Sequence, residues 1–242
     1  MTAAKIKLVL AVAGAACLLL VSRAEAAAPL LPEAPPARCH APYGTYAKRL
    51  ESVCFDVLAA GAGVEVRDFT RSANVSVVSN VLDSVFGSFG SALFAFGAIA
   101  EYFTGDNLEL RNISYARTNP LIVLPNRTSD PSWVVAMAIA PSRFPDPLKV
   151  PAPASGAVVT VHPLSVDLSA PLASRHEQLP APATQADFEQ CAADLVAALP
   201  NVDGGRFKYD PLGYWSPTFA FYYGNLEQKT FDIECWVQVK QA

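Results

Sequence analysis

Histidine is scarce: among 242 residues there are three, His40, His162 and His176. His176 opens His-Glu-Gln-Leu-Pro, so the second histidine of the HExxH zinc signature is absent. No CxxC pair occurs, which argues against a zinc ribbon or a thioredoxin-type redox site. There is no GxSxG nucleophile elbow and no metal-spaced His/Asp cluster. With histidine this rare a Cys–His nucleophile is not expected either, and the chain reads as a non-enzyme. Charge is low, at 17% of residues, and slightly acidic, with a formal net charge of −4 and no basic cluster. Such a chain is a poor partner for nucleic acid or anionic lipid.

Long apolar runs are also missing, apart from one at the N-terminus. Lys5 and Lys7 precede the apolar stretch 8–21, and Ala24-Glu25-Ala26 is a small-x-small cleavage site. Residues 1–26 are therefore expected to be a secretory signal peptide. The alternative, a membrane anchor, has too short a run for a comfortable span. Removing Lys5, Lys7, Arg23 and Glu25 with it moves the balance from −4 to −6. Residues 27–53 are an Ala/Pro-rich leader, and a single folded domain is expected over 54–242, secreted or held in an endomembrane lumen.

Cys17 leaves with the signal. Cys39, Cys54, Cys191 and Cys235 remain, an even number that predicts two disulfides in an exported chain. Of three connectivities the expected one is Cys39–Cys54 with Cys191–Cys235; the others, and free buried thiols, stay open. Three N-x-S/T sequons, at Asn74, Asn112 and Asn126, are candidate glycosylation sites.

Strands are expected at 64–70 and 73–78, and then a helix over 79–105. Leu82, Val85, Phe86, Phe89, Leu93, Phe96, Ala100 and Phe103 recur at three- and four-residue steps, with Gly105 as the C-terminal stop. Gly87, Gly90 and Gly97 each weaken that helix by roughly 1 kcal/mol relative to Ala, so it must pack against something or break. Apolar strands follow at 121–125 and 133–141. The Pro-rich stretch 142–156 cannot sustain a ladder. Two short strands at 158–162 and 165–169 come next, and the stretch 175–184, which carries His176, reads as a loop. A second helix starts at Thr184, paired with Asp187 in a capping-box pattern, and buries Phe188, Cys191, Ala192, Leu195 and Leu199 before Pro200. The last strand is the alternating run 231–239. The order is strand-strand-helix-strand-strand, twice. It predicts an α+β domain in which two ββαββ repeats form a distorted antiparallel barrel or sheet flanked by two helices.

On this pattern the residues resemble the SOUL/heme-binding protein family, most closely its plant-type exported members. Phe55-Asp56-Val57-Leu58, Gly61-x-Gly63 and Val64-Glu65-Val66-Arg67-Asp68-Phe69 look like the family's first strand, with Val64 where an aromatic is usual. Ala73 to Val78 resembles its second strand. Ala100 to Asn107, with Ile113 eight residues after Gly105, is similar to the end of its first helix. Thr118-Asn119-Pro120, Trp133 to Pro141 and Pro145-Asp146-Pro147 match its central strands and loop. Tyr214-Trp215-Ser216-Pro217 and Glu234-Cys235-Trp236-Val237 match its C-terminal motifs. The likeness covers roughly 55–240. It departs at 112–120, where the family's methionine is missing and about two residues are inserted.

The resemblance implies an eight-stranded distorted barrel and non-enzymatic binding of heme or a related tetrapyrrole beside a helix. A flat apolar ligand with two carboxylates needs a greasy slot and basic groups at its rim. Phe89, Phe96 and Phe103 are candidates for the slot, and Arg111, Arg117 and Lys149 for the rim. The competing assignment for the phenylalanines is core, and for the basic residues a solvated surface. His162 is the candidate axial ligand, Tyr115 a remoter one, and an edge histidine bonded to backbone is the alternative. His40 lacks a CxxCH attachment motif. Glu65 and Arg67, two apart on one strand, are expected to pair across strands and fix register; an exposed pair would contribute only about 0–1 kcal/mol. The runner-up function is an exported scaffold of this fold that binds another apolar ligand or a protein. The fold also resembles effector-binding domains of bacterial regulators, so other ligands fit it.

Overall fold

The computed structural model describes residues 38–40, 51–72, 75–82, 89–125, 133–163, 170–180, 183–213, 216–222 and 230–242, without the side chains of 38–40, 82, 89–95, 125, 180, 230 and 231. All fall in the unit Ala37–Ala242. The signal segment 1–26, Asn74, Asn126, and the expected strand at 165–169 lie outside these residues.

Eleven strands are described: β1 (Arg38–His40), β2 (Glu51–Gly61), β3 (Val64–Asp68), β4 (Ser76–Leu82), β5 (Arg117–Pro125), β6 (Trp133–Ile139), β7 (Thr160–Pro163), β8 (Leu172–Pro180), β9 (Phe207–Tyr209), β10 (Thr218–Tyr222) and β11 (Thr230–Gln241). Helix α1 is Phe89–Thr104 and α2 is Gln185–Ala198. The sheet order is β1-β2-β3-β8-β11-β10-β5-β6-β4-β7, with β9 on β11. A further parallel pairing of β2 with β5, through Glu51 opposite Thr118 and Ser52 opposite Asn119, closes β2-β3-β8-β11-β10-β5 into a six-stranded barrel. The domain is thus an α+β barrel with extra strands and two helices; apart from the β2–β5 pair its ladders are antiparallel.

Alternation along each strand divides the core into three. The barrel interior holds Val53, Phe55, Phe69, Ile122, Leu172, Ala220, Tyr222 and Trp236. The opposite faces of β3, β8, β10 and β11 send Val64, Val66, Ala173, Phe219, Ile233 and Val237 towards α2, which supplies Phe188, Cys191 and Leu195. Those three recur at helical spacing, and Phe188 and Leu195 each contribute roughly 1.5–3 kcal/mol on burial. The capping pattern is present: the Thr184 backbone N–H (2.6 Å) and hydroxyl (2.7 Å) both donate to Asp187 Oδ2. That hydrogen bonding, backbone first, holds the Asp187 carboxyl below its ordinary value. The third cluster lies between α1 and β4, β5 and β6, where Ile99, Tyr102 and Phe103 meet Val78, Val123, Val135 and Met137.

Four sequence expectations are corrected. Residues 79–82 extend β4, so Leu82 belongs to a strand and the described helix begins at Phe89; β-branched Val77, Val78 and Val81 favour the strand. At its other end α1 stops as expected, with Gly105 at φ +138° and the Gly105 and Asp106 amides both donating to Glu101 O. Within the expected leader, Arg38–His40 forms β1 on β2, and β2 itself starts at Glu51. Residues 175–180 are not a loop: they belong to β8, the strand between β3 and β11, and carry His176. Finally, β10 was not foreseen, and residues 55–58, matched only as part of a first-strand pattern, belong to a separate eleven-residue strand, β2.

Cys191 in α2 is bonded to Cys235 in β11, as expected, with the Cα atoms 6.1 Å apart. Cys54 is also disulfide-bonded; the Cys39 side chain lies outside the described residues. No described helix is long and apolar enough to cross a membrane.

Candidate functional site

One face of β3, β8, β10 and β11 puts polar residues side by side, buried in the barrel at Ser174 and Glu234 and open to solvent at Gln178. In the ladder, Glu65 stands opposite Ser174, His176 opposite Glu234, Tyr222 opposite Asp232, and Gln178 also opposite Asp232. At the centre is Arg67, 1% exposed, against Glu234, 0% exposed. The contact is bidentate: Nη1 donates to Oε2 and Nη2 to Oε1, each at 2.7 Å. Tyr222 OH (2.7 Å) and Trp236 Nε1 (2.9 Å) donate to the same Oε2, so three donors converge on Oε2 and one, Arg67 Nη2, on Oε1. Glu65 Oε2 accepts from Arg67 Nε at 3.0 Å and Nη2 at 2.9 Å. The guanidinium lies 4.3 Å from the centre of the Phe55 ring, which stacks on through Phe69 to Trp236 at 5.4 and 5.5 Å.

Burial alone would raise the Glu234 pKa. The Arg67 charge and the hydrogen bonds from Arg67, Tyr222 and Trp236 outweigh it, and the carboxyl is held below its ordinary value. Burial likewise opposes the Arg67 charge, yet Glu234 raises its pKa further. The pair is therefore ionised at neutral pH. It is a clamp that ties β3 to β11 across β8, its charges spent on each other. Arg67 pairs across strands as expected, with Glu234 167 residues away, but it is buried, and in these bonds Glu65 pairs with Arg67 on its own strand. Further along the same face, His176 Nε2 lies 3.0 Å from Asp232 Oδ1, which also accepts from Gln178 Nε2 at 3.1 Å.

The second candidate is at the C-terminal end of α1. Two loops are joined there: Leu108 N donates to Ala152 O (2.8 Å), Ala154 N to Asp106 O (3.3 Å), and the buried Tyr102 hydroxyl to Pro151 O (2.7 Å). Asn107, fully buried, braces the turn by donating to the carbonyls of Tyr102 and Arg111 and accepting from Arg111 N. These bonds leave the loops' apolar side chains outside: Leu108, Leu110, Tyr115, Leu148 and Val158 are all exposed, Leu110 by 82% and Leu148 by 92%.

Of the expected rim residues, Arg111 and Lys149 lie in these two loops and Arg117 opens β5. Arg111 donates to Tyr115 OH at 3.3 Å and lies 3.9 Å from Glu109. Arg117, half-buried, donates to Ser114 O at 3.2 Å. Lys149 is well exposed, 4.0 Å from Asp146. The expected slot residues are placed differently. Phe103 is fully buried and packs edge-to-face on Tyr102, and Phe96 is half-buried against the same cluster. The Phe89 side chain lies outside the described residues. His162, on β7, has both ring nitrogens engaged, Nδ1 with Pro163 O and Nε2 with the Ser79 hydroxyl, each at 2.9 Å. Iron ligation through Nε2 would have to displace Ser79. The apolar loop tips were missed by sequence reading; Leu108 and Leu110, set among Asp106, Asn107, Glu109 and Arg111, were their signal. Among the described residues no group of three His, Cys, Asp or Glu is placed to hold a metal ion.

No protein-family model matches the chain, and no curated protein matches it. Among solved structures, the chain is similar to the C-terminal domain of EcmrR (8% identity, 78% of this chain and 99% of that one, TM-score 0.42). It is similar also to SAV2435, solved bound to tetraphenylphosphonium (11% identity, 77% of this chain and 93% of that one, TM-score 0.32).

Proposed function

We propose that this is an exported SOUL-like domain that binds heme or a related tetrapyrrole without turning it over, for carriage, storage or buffering. The observation that carries the reading is the loop surface at the end of α1. Five exposed apolar side chains, with Arg111 and Lys149, lie in the segments 108–115 and 148–158, which are hydrogen-bonded to one another through Leu108 N and Ala152 O, and this set suits a ligand with a greasy disc and anionic edges. With Phe103 buried, the ligand would lie on the loop tips instead of the helix stripe. With His162 committed to Ser79 and Pro163, binding would not depend on that histidine.

The family reading also calls for a doubled unit, and the pairing order supports it. Exchanging β3 with β7, β4 with β8, β5 with β10 and β6 with β11 maps the order β3-β8-β11-β10-β5-β6-β4-β7 onto itself reversed. In each half the helix follows the second strand. The barrel-closing β2, together with β1 and β9, is extra to this scheme. The Cys39–Cys54 bond belongs to the same reading: β1 carries Cys39 alongside β2, which carries the bonded Cys54.

Hemin titrated into the purified mature domain should give a saturable, stoichiometric Soret shift, and His162→Ala should leave it unchanged. A shift that never saturates would favour the other reading, a scaffold for a different apolar ligand or a protein. Loss of the shift in a folded His162→Ala variant would restore an axial role to that histidine.

A further inference from the structure

We infer that Asn112 carries an N-linked glycan, set at the border of the apolar loop surface, and that the glycan limits this surface to small ligands. Of the three sequons, Asn112-Ile113-Ser114 is the one whose acceptor side chain is described, and Asn112 is exposed. Its neighbour Ile113 is 0% exposed and donates its backbone N–H to Phe103 O at 2.8 Å, so the acceptor stands on a fixed piece of backbone.

The division of labour within the amide matters most. Asn112 Oδ1 accepts from Ser114 N at 3.0 Å, while Nδ2 hydrogen-bonds to no described residue. Glycosylation uses Nδ2 alone. The new bond joins Nδ2 to C1 of the sugar, the bond from C1 to the diphosphate of a lipid-linked oligosaccharide breaks, Nδ2 gives up one proton, and the lipid diphosphate leaves. Oδ1 keeps its acceptor role throughout, so the modified chain can close the same turn. The glycan would then leave the surface two residues from Leu110 and three from Tyr115, next to Arg111, which donates to the Tyr115 hydroxyl. A flat protein partner needs about 800 Å² of clear surface on each side. A branched sugar at this border obstructs that and leaves room for a ligand of porphyrin size. The inference rests on the reading that the chain is exported, and not on heme as the ligand.

The test expresses the full chain, with its own N-terminus, in a eukaryotic secretory host and compares electrophoretic mobility before and after an endoglycosidase that removes N-glycans. Asn112→Gln and, separately, Ser114→Ala should each abolish one glycan's increment while the melting temperature stays near that of the enzymatically deglycosylated parent. An increment that survives both substitutions and disappears only with Asn74→Gln or Asn126→Gln overturns the assignment. So does a luminal chain, with Cys191–Cys235 formed, that shows no increment. A chain that never enters the lumen, recognised by protease access and free thiols, overturns it together with the export reading. Hemin affinity equal with and without the glycan is the expected companion result; a protein partner captured equally well by both forms would contradict the size limit.

Discussion

Arg67→Ala is expected to lower the unfolding free energy by about 3–5 kcal/mol, the range for removing one partner of a buried ion pair. The substitution leaves the Glu234 carboxylate, 0% exposed, with only the neutral donors Tyr222 and Trp236. It also strips Glu65 Oε2 of both its Arg67 donors and takes the guanidinium from the Phe55 ring. Replacing both partners with apolar residues of similar volume, Arg67→Met with Glu234→Leu, and Tyr222→Phe to remove the hydroxyl donor, should cost less than the single change, because no orphaned charge remains and only Trp236 Nε1 loses its acceptor. Urea unfolding reads both, through a midpoint shift at unchanged slope. An Arg67→Ala cost under about 1 kcal/mol would mean that the pair is solvated, contrary to its burial.

The pH dependence has a definite sign. In the native protein the Glu234 carboxyl lies below its unfolded value of about 4.3, so it binds fewer protons folded than unfolded near that pH. Its contribution is therefore complete above that pH and is lost as the pH falls through the lower folded value. In Arg67→Ala the main cause of the lowering is gone and burial remains, which pushes the carboxyl upwards. The variant's deficit should be largest at neutral pH and shrink on mild acidification, as Glu234 takes up a proton and loses its charge. A deficit independent of pH would point to lost packing instead of an unpaired charge.

The second large effect is expected at Cys191–Cys235. The bond spans 44 residues of sequence, and for a loop of that length the chain-entropy estimate is about 4 kcal/mol. Cys191→Ala with Cys235→Ala should lower Tm by roughly 8–16 °C in a domain of this size, with a further small loss from the cavity. Both sulfurs belong to the fully buried cluster beneath α2, next to Ile233 and Val237. Thiol reductants should accordingly act on the native protein only as fast as α2 detaches from β11, and pre-reduced chain should show the same destabilisation as the double variant. A Tm change of less than about 3 °C would show that the link constrains little.

Much of the framework was readable where local signals and the fold agree. The Thr184/Asp187 pair, the spacing Phe188-Cys191-Leu195 and the stop at Pro200 located α2 because capping and amphipathicity act within one turn. Gly105 marked the end of α1 for the same reason. The strand β8 was hidden because Ser174, His176 and Gln178, on one face of it, are polar. An alternation of apolar with polar normally places the polar side in water, whereas here Ser174 is buried and His176 half-buried beside the ion cluster, and only Gln178 is exposed. Nothing local linked Arg67 to Glu234: the partner is 167 residues away, and only closure of the β3-β8-β11 ladder brings it near. The phenylalanine stripe of α1 was correctly apolar, yet periodicity does not say whether a greasy face meets core or ligand. Phe103 meets core, and exposure falls to Leu110 and Leu148, in loops whose hydrogen bonds hold them outward.

The most direct measurement is the hemin affinity of Leu110→Asp with Leu148→Asp, compared with the unaltered mature domain by Soret titration. Both side chains are more than four-fifths exposed, so the unfolding midpoint should barely move. If the loop surface holds the pigment, the dissociation constant rises by about tenfold or more, the equivalent of at least roughly 1.4 kcal/mol of lost apolar contact and added charge repulsion. An unchanged dissociation constant in the folded double variant would contradict the account.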